Sequence, residues 1–457
     1  MKPLCVVSCP IDTFSGYGAR SRDFVKALIQ LKDKEWDIKI MPQRWGETPW
    51  NYLSQDNPLR ERFVTQMERQ PEVWIQITVP NEFQPVGKFN IGVSAGIETT
   101  IYPGEFIEGS NRMHLNLLSS NHSKQVAMST KFDRVDKASQ KVVGVCRLEK
   151  PVEVLFEGLD LEKYNKNPKK SKILKDIPED FCFLYTGHWL NGQVGEDRKN
   201  TGLMIETFLK TFNTPSSKKP ALILKTNNIN HSLLDRERVI KMINGIRTNV
   251  KGKLPNIYLV HGEMTDEEIN QLNNDPKVKA MISFTKGEGY GRPLAEAAIT
   301  GKPIIATNWS GHTDFLKPDY NILIGGELKN VHKSAANAFL LKESQWFNID
   351  VDIASKAMKD VFKHYKKYFE KSRKQTQYIK DNWTYDKMVK KLETLLPKVE
   401  STPQVNTLTL PKLKKTEKTK IPKLSLPKLK KVDISKQPTN KPKNTVTLPK
   451  LKKINVQ

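Results

Sequence analysis

The sequence predicts an α/β protein with parallel sheets. Short apolar runs, such as residues 4–8 and 181–186, have the length of buried parallel strands. Each run is followed by a loop that contains glycine and then by a segment with apolar residues at helical spacing. Strand, loop and helix in this order are typical of α/β domains, which bind ligands where their strands end.

Length and composition limit the possible classes of protein. The 457 residues are enough for two or three domains. The sequence contains no run of about eighteen apolar residues, which predicts that no segment spans a membrane. The opening apolar run is too short for a signal peptide. Four scattered cysteines, without disulfide or zinc spacing, favour a reduced, cytoplasmic setting.

The most informative stretch is ISFTKGEGYGRPLAEAAITGKPIIATNWSGHTDF, residues 282–315. It predicts a strand, a glycine loop, a helix with Pro293 in its first turn and Gly301 at its end, and a further strand. Glu288 lies in the loop and Glu296 in the helix. Carboxylates accept hydrogen bonds from sugar hydroxyls, and a helix start suits a phosphate. The stretch therefore predicts a nucleotide-sugar site that also includes Gly287, Gly289, Tyr290, Gly291 and Arg292.

This stretch resembles the E-x7-E signature of retaining GT-B glycosyltransferases with a "glycosyl transferases group 1" (family 4-like) domain. Glu288 and Glu296 match the two glutamates, and Arg292 replaces an apolar residue of the usual G-F-G-L-P pattern. The resemblance implies two Rossmann-like domains that face a cleft. It also implies metal-independent transfer from a UDP- or GDP-sugar, without another cofactor, in which Glu288 holds the sugar and Glu296 the ribose.

The resemblance assigns further donor residues to the second domain. The family uses an Arg after the first glycine and a Lys before the next helix to bind the diphosphate. His188 occupies the Arg position, Lys199 matches the Lys, and Arg198 is placed to compensate. Lys225, at a strand end, faces either phosphate or solvent. Gly262 and Glu263 follow the strand at 257–260, where the family places the base.

The first domain offers candidates with alternatives. Gly16 and Gly18 follow the first strand and either approach the donor or acceptor or only form a turn. Glu98 follows the strand at 89–94 and is either a catalytic or acceptor contact or a cap or ion-paired acid. His114 and His122 resemble a family histidine near the sugar, although a structural role is the alternative. The excursion at 45–61 either shapes the acceptor site or is a surface loop.

The expected organisation has five parts. They are an acceptor domain (1–160), a linker (161–175), a nucleotide-sugar domain (176–330), helices that partly pack back on the first domain (331–398) and a disordered Lys/Pro-rich tail (399–457). The tail repeats LPKLKK from Leu410, Leu426 and Leu448, and residues 401–457 carry +13 of the net charge of +25. It could contact an anionic membrane, giving a peripheral location, or nucleic acid, or only aid solubility.

These patterns predict a glycosyltransferase that acts on an unknown glycan, lipid or protein acceptor. Glu288, Lys199, Arg198 and Glu98 are the candidate catalytic residues. Two alternatives within the fold are a phosphorylase and a nucleotide-sugar epimerase. A different alternative is a non-catalytic scaffold that binds polyanions through its tail, and a hybrid alternative is glycosylation of nucleic acid.

Overall fold

The computed structural model describes residues 1–46, 48–136, 138–167 and 171–399. These residues belong to one compact unit, Met1–Pro403. The tail from residue 400 onward, with its LPKLKK repeats, lies outside the described residues. Two six-stranded parallel sheets form the framework of the described chain, which confirms the α/β prediction.

The first sheet and its helices form what we call the first lobe. Its sheet has the strand order β2-β1-β3-β4-β5-β8 and every pairing is parallel. The sheet strands are β1 (Leu4–Cys9), β2 (Asp37–Pro42), β3 (Val73–Ile77), β4 (Phe89–Ser94), β5 (Leu115–Leu118) and β8 (Val152–Val154). A separate antiparallel hairpin consists of β6 (Lys131–Val135) and β7 (Val142–Arg147). The helices are α1 (Gly16–Lys32), α2 (Gly104–Asn111) and α3 (Asn121–Ser129).

The second sheet and its helices form the second lobe. Its strand order is β11-β10-β9-β12-β13-β14, again with parallel pairings throughout. The strands are β9 (Cys182–Thr186), β10 (Ala221–Lys225), β11 (Ile257–Val260), β12 (Val278–Ser283), β13 (Ile304–Thr307) and β14 (Ile322–Ile324), and the helices are α4 (Thr201–Thr211), α5 (Leu233–Thr248), α6 (Asp266–Asn274) and α7 (Arg292–Ala298).

The remaining elements follow the second sheet. They are the antiparallel pair β15 (Gly326–Asn330) and β16 (Gln345–Ile349), and the helices α8 (Val351–Lys363), α9 (Tyr365–Asn382) and α10 (Tyr385–Leu395). Short 3₁₀ helices lie at Pro58–Arg62, Pro80–Glu82, Lys172–Leu174 and Gly311–Asp314. Among the described residues, no helix is both long and apolar enough to cross a bilayer. The four cysteines are free and buried.

Burial explains why the strands have continuous apolar runs instead of an alternating pattern. All six residues of β1 are buried, because helices cover both faces of a parallel sheet. The last helix, α10, leaves the second lobe and packs on α1. Its Met388, Val389 and Leu392 join the apolar core of the first lobe. The described chain therefore crosses between the lobes twice, and its last helix lies on the first lobe.

The structure differs from the sequence prediction in two segments. Residues 330–396 were expected to be helical throughout, but β16 precedes the helices. Trp346 and Phe347 are buried there, and β16 pairs with the polar strand β15. The hairpin of β6 and β7 was not predicted, because its residues are mostly exposed and lack the alternation of a half-buried strand.

Candidate functional site

A cleft of about 740 Å³ lies where the carboxyl ends of the two sheets meet. Both lobes contribute to its walls. Most of the residues that the sequence singled out line this cleft: Gly16, Glu98, His188, Arg198, Lys199, Lys225, Glu263, Glu288, Gly289, Tyr290, Gly291, Arg292 and Glu296. The two glutamates of the E-x7-E pattern therefore lie in the same interlobe crevice.

The glycine loop between β12 and α7 approaches the first lobe closely. A Cβ atom added at Gly289 would lie 2.2 Å from the carbonyl oxygen of Ala95, which belongs to the first lobe. Gly291 caps α7 with a φ of +97°, a conformation that favours glycine. The loop thus needs glycine at one position for space and at another for backbone geometry. Helix α7 ends at Ala298, three residues before Gly301.

Glu288 is held by two cations, Arg198 and Lys199, from the end of the loop that precedes α4. Its Oε1 lies 2.6 Å from Lys199 Nζ, and its Oε2 lies 3.5 Å from Arg198 Nη1. Burial alone would raise the pKa of the Glu288 carboxyl, but Lys199 and then Arg198 outweigh it and lower that pKa to about 2. Glu288 is therefore a charged hydrogen-bond acceptor throughout the physiological pH range.

Arg198 connects the two lobes. Its Nη2 lies 3.4 Å from Oε1 of Glu98, in the first lobe, while Nη1 also donates to the carbonyl oxygen of Gly287 at 2.8 Å. Burial disfavours the charged guanidinium, but Glu98 and Glu288 together raise the Arg198 pKa. The centre of the cleft thus contains four charged groups in the order Glu98, Arg198, Glu288 and Lys199, so that their signs alternate. Glu98 belongs to the first lobe and the other three to the second.

His188 does not replace the missing arginine as a cation. Burial, followed by the nearby charges of Lys199 and Lys225, lowers its pKa to about 4. The imidazole is therefore neutral at pH 7. Lys225 lies deeper along the same wall, where its Nζ donates to the carbonyl oxygen of Gly262 at 2.5 Å. The cationic side chains that line this part of the cleft include Lys199, Arg198 and Lys225.

Glu296 belongs to a second ionic cluster, centred on Arg292. Arg292 lies 3.1 Å from Glu296, 2.7 Å from Asp23 of α1 and 3.5 Å from Glu157, which follows β8. Three carboxylates therefore share one guanidinium across the lobes. Burial raises the pKa of Glu296 to about 7, because the attraction of Arg292 only partly opposes it. The neighbouring Asp266 raises this pKa further.

Some sequence candidates do not line the cleft. Gly18 is buried in the first turn of α1. Its amide donates to Oγ of the N-cap residue Ser15, and an added Cβ would lie too close to the carbonyl oxygen of Thr13. Gly262 and Gly287 contribute only their carbonyl oxygens, to Lys225 and Arg198 respectively.

Neither candidate histidine of the first lobe reaches the cleft wall. His114 stacks on Phe89 and accepts from the amide of Asn90, as expected for a structural histidine. His122 packs edge-on against Trp309, and burial lowers its pKa to about 4. Among the described residues, no cluster of three or more His, Cys, Asp or Glu side chains is placed to hold a metal ion.

Sequence reasoning missed the aromatic side of the cleft. Several rings of the first lobe line it, and we call four of them the aromatic wall: Phe14, Tyr17, Trp45 and Tyr52. The sequence identified the excursion that contains Trp45 and Tyr52 but not its partners in the loop after β1. The available signal was the aromatic content of both loops, together with the expectation that loops at one sheet edge converge.

Comparisons with known proteins place the fold. No family model matches the sequence, and no curated protein matches it. Solved structures with similar folds include Anabaena HepE in complex with UDP and glucose, at 12% identity and a TM-score of 0.56, covering 86% of this chain and 99% of that one. Sucrose-phosphate synthase from Thermosynechococcus elongatus is 10% identical with a TM-score of 0.56, covering 86% and 98%.

A glycosyltransferase from Rickettsia africae is 12% identical with a TM-score of 0.54, covering 86% of this chain and 97% of that one. Identities this low speak for the fold alone. The shared architecture spans both lobes, since the neighbours are covered almost end to end. The fold of this chain is therefore the GT-B fold, with two Rossmann-like lobes that face a common cleft.

Proposed function

We propose that the protein is a glycosyltransferase that moves a sugar from a nucleotide-sugar donor to an acceptor hydroxyl, with retention and without a metal ion. One observation carries the proposal: Glu288 is paired with Lys199 and Arg198 in the interlobe cleft of a GT-B fold. The HepE structures contain UDP and UDP-glucose, which favours a UDP-sugar as the first donor to test.

The charges in the cleft suit this reaction. Bond breaking at the anomeric carbon leaves negative charge on the diphosphate, and fixed cations stabilise that charge best where water is excluded. Lys199 and Arg198 would turn from Glu288 to the phosphate oxygens. Glu288, whose low pKa keeps it ionised, would then accept hydrogen bonds from hydroxyls of the donor sugar.

The chemical step balances without another reactant. The acceptor oxygen forms a bond to the anomeric carbon, and the bond from that carbon to the phosphate oxygen breaks. The acceptor's proton passes to the leaving phosphate oxygen, so a nucleoside diphosphate departs. Attack on the face from which the leaving group departs gives retention. Glu98, opposite Glu288 across Arg198, is placed to orient the attacking hydroxyl or the guanidinium.

Glu296 is proposed to contact the ribose. With a pKa near 7, its carboxyl can either donate to or accept from a ribose hydroxyl at neutral pH. Arg292 fixes its orientation through a bond of 3.1 Å. This ion pair gives a role to Arg292, which stands where the family pattern has an apolar residue.

The test is a donor screen followed by two substitutions. The full-length protein would be incubated with UDP-, GDP- and ADP-sugars, and binding and release of nucleoside diphosphate would be measured by calorimetry and mass spectrometry. We expect saturable binding of one donor and slow hydrolysis. Lys199→Met and Glu288→Gln should reduce turnover at least 100-fold, because each removes a charge at the reacting centre.

Matched controls lie on the surface of α4. Exposed Lys210 and partly exposed Glu206 form an ion pair of 2.7 Å, so Glu206→Gln and Lys210→Met remove the same groups away from the cleft. Both controls should retain activity within twofold. Parallel reactions with orthophosphate, and with donor alone analysed for epimerised sugar, separate phosphorylase and epimerase chemistry. Full activity of a folded Lys199→Met, Glu288→Gln double variant would refute the proposal.

A further inference from the structure

We infer that the acceptor is a carbohydrate, and that the aromatic wall of Phe14, Tyr17, Trp45 and Tyr52 binds one of its pyranose rings. This inference rests on the proposed function and names the acceptor's chemical class. A pyranose ring has an apolar C–H face and a rim of hydroxyl groups. The negative face of an aromatic ring suits the former, and carboxylate oxygens suit the latter. The cleft contains both kinds of group side by side.

The wall is adjacent to the reacting centre. The Tyr17 hydroxyl lies 3.0 Å from Ser94 Oγ and accepts from the amide of Ala95 at 3.1 Å. The carbonyl of Ala95 is the group that leaves no room for a Cβ at Gly289, beside Glu288. A ring stacked on Tyr17 is therefore next to the loop that would hold the donor sugar, as an attacking hydroxyl requires.

The rings of the wall pack against one another and against a neighbouring arginine. Tyr17 and Trp45 lie 4.2 Å apart between ring centroids, with planes tilted by 34°. Phe14 and Tyr52 meet edge to face at 5.1 Å. The Arg22 guanidinium carbon lies 3.4 Å from the Tyr52 ring centroid and fixes that ring from behind. Preorganised rings lose little conformational entropy on binding.

The backbone also ties the two loops of the wall together. The amide of Phe14 donates to the carbonyl of Pro49 at 3.1 Å, and the amide of Tyr52 donates to the carbonyl of Asp12 at 3.1 Å. The Asp12 side chain is fully buried and accepts from the amide of Leu53 at 2.8 Å. These hydrogen bonds therefore hold the excursion in a defined position against the loop that follows β1.

The charges near the wall favour a carbohydrate over a nucleic acid. Aromatic rings also stack on bases, but such sites pair them with cations that bind phosphates. The two buried arginines that line the cleft here, Arg20 and Arg22, direct part of their N–H groups to backbone carbonyls. Arg22 Nη1 donates to the carbonyls of Ile11 and Thr13, both at 2.9 Å, and Arg20 donates to the carbonyls of Leu155 and Phe156. The charged groups that line the cleft beside the rings include the acids Glu98 and Glu157.

The test uses saccharide probes with the full-length protein: methyl pyranosides of glucose, galactose and mannose, together with maltose and cellobiose. Saturation-transfer NMR in the presence of UDP would report contact with aromatic side chains, and transfer from UDP-glucose would be followed by mass spectrometry. We expect at least one saccharide to bind and to accept the sugar. Trp45→Ala should weaken its binding at least tenfold, whereas Trp45→Phe should stay within threefold.

A matched control lies in the same excursion. Trp50 pairs with Arg44 at 4.8 Å and does not line the cleft, so Trp50→Ala should change saccharide binding less than twofold. UDP binding should be unchanged in all three variants. Failure of every saccharide, equal binding by Trp45→Ala, or transfer to a single-stranded oligodeoxynucleotide instead would overturn the inference. Failure of the wild-type protein to bind any donor would instead refute the proposed function.

Discussion

Glu288 and Glu296 are the same residue type, eight positions apart, but their surroundings push their pKa values in opposite directions. Glu288 is paired with Lys199 and also with Arg198, which it shares with Glu98, and its pKa falls to about 2. Glu296 is buried and shares its one cation with two other carboxylates, and its pKa rises to about 7. Pairs of carboxyl groups whose pKa values are shifted in opposite directions are typical of sites that need one charged and one protonatable carboxyl.

The raised pKa of Glu296 predicts a specific dependence of stability on pH. The folded state keeps this proton up to about pH 7, whereas the unfolded chain loses it near 4.5. Stability from this group is thus present below pH 4.5 and is lost as the pH rises to 7. Glu296→Gln keeps a neutral side chain, so its free energy of unfolding relative to wild type should increase by about 1–3 kcal/mol between pH 4.5 and 8.

Denaturant unfolding of both proteins across this range is the measurement. Glu206→Gln, on the surface of α4, controls for the loss of a carboxylate as such. A difference between Glu296→Gln and wild type that does not change with pH would show that Glu296 is ionised in the folded protein throughout.

The sequence revealed the two acids but not their partners. Glu288 and Glu296 stand in a local pattern of glycine, proline and glutamate, which a single stretch of sequence contains in full. Asp23 and Arg292 are 269 positions apart, and no local pattern connects them. Only the fold determines which carboxylates meet which guanidinium, so the charge state of Glu296 could not be predicted.

At the scale of elements, the excursion between β2 and β3 depends on one buried acid. Asp12 accepts from the amide of Leu53 at 2.8 Å and pairs with Arg60 at 3.0 Å, while its own side chain is inaccessible to solvent. Breaking such a pair by removing one partner leaves an uncompensated charge and an unpaired amide, which costs roughly 3–5 kcal/mol. The position of Trp45 and Tyr52 therefore depends on a residue that does not itself touch the cleft.

Asp12→Ala should increase the mobility of this excursion without changing the binding of UDP. We expect hydrogen exchange of amides in residues 48–57 to accelerate at least tenfold, measured by mass spectrometry, while UDP binding stays within twofold. Asp37→Ala removes an exposed acid from neighbouring β2, where Lys39 lies 3.3 Å away, and should leave exchange unchanged. Unchanged exchange in Asp12→Ala would mean that the backbone pairing alone holds the excursion.

The elements that sequence predicted well are those buried on both faces. The strands predicted at residues 4–8, 89–94, 181–186 and 257–260 agree with β1, β4, β9 and β11 to within one residue at each end, whereas β14 (Ile322–Ile324) was not predicted. The hairpins were missed because exposed strands such as β15, with the sequence GELKN, carry no apolar pattern. Their strand conformation comes from pairing with the other strand of the hairpin.

At the scale of the whole molecule, side chains and backbone tie the two lobes together at separate positions. Arg292 pairs with Asp23, and Arg198 pairs with Glu98. Thr100 also exchanges two hydrogen bonds with Gln345 at the start of β16, one through its amide and one through its hydroxyl. Helix α10 adds an apolar contact with α1.

The Arg292–Asp23 pair should contribute measurably to interlobe closure. Both side chains are less than 20% exposed, so solvent screens them weakly. A double-mutant cycle with Arg292→Met and Asp23→Asn should give a coupling energy of about 1–3 kcal/mol in thermal unfolding.

The exposed pair of Lys329 and Glu327, 2.7 Å apart, provides a comparison cycle within one strand, for which we expect less than about 0.5 kcal/mol. A coupling energy for Arg292 and Asp23 that is no larger than this would show that the pair is incidental to closure.

The separate ties between the lobes also have a kinetic consequence. If one of these contacts breaks, the others still hold the two lobes together, so the cleft opens only when several contacts break at once. Departure of a bulky product would then require a concerted hinge movement. The frequency of that movement, and not the speed of bond breaking, would set the ceiling on turnover.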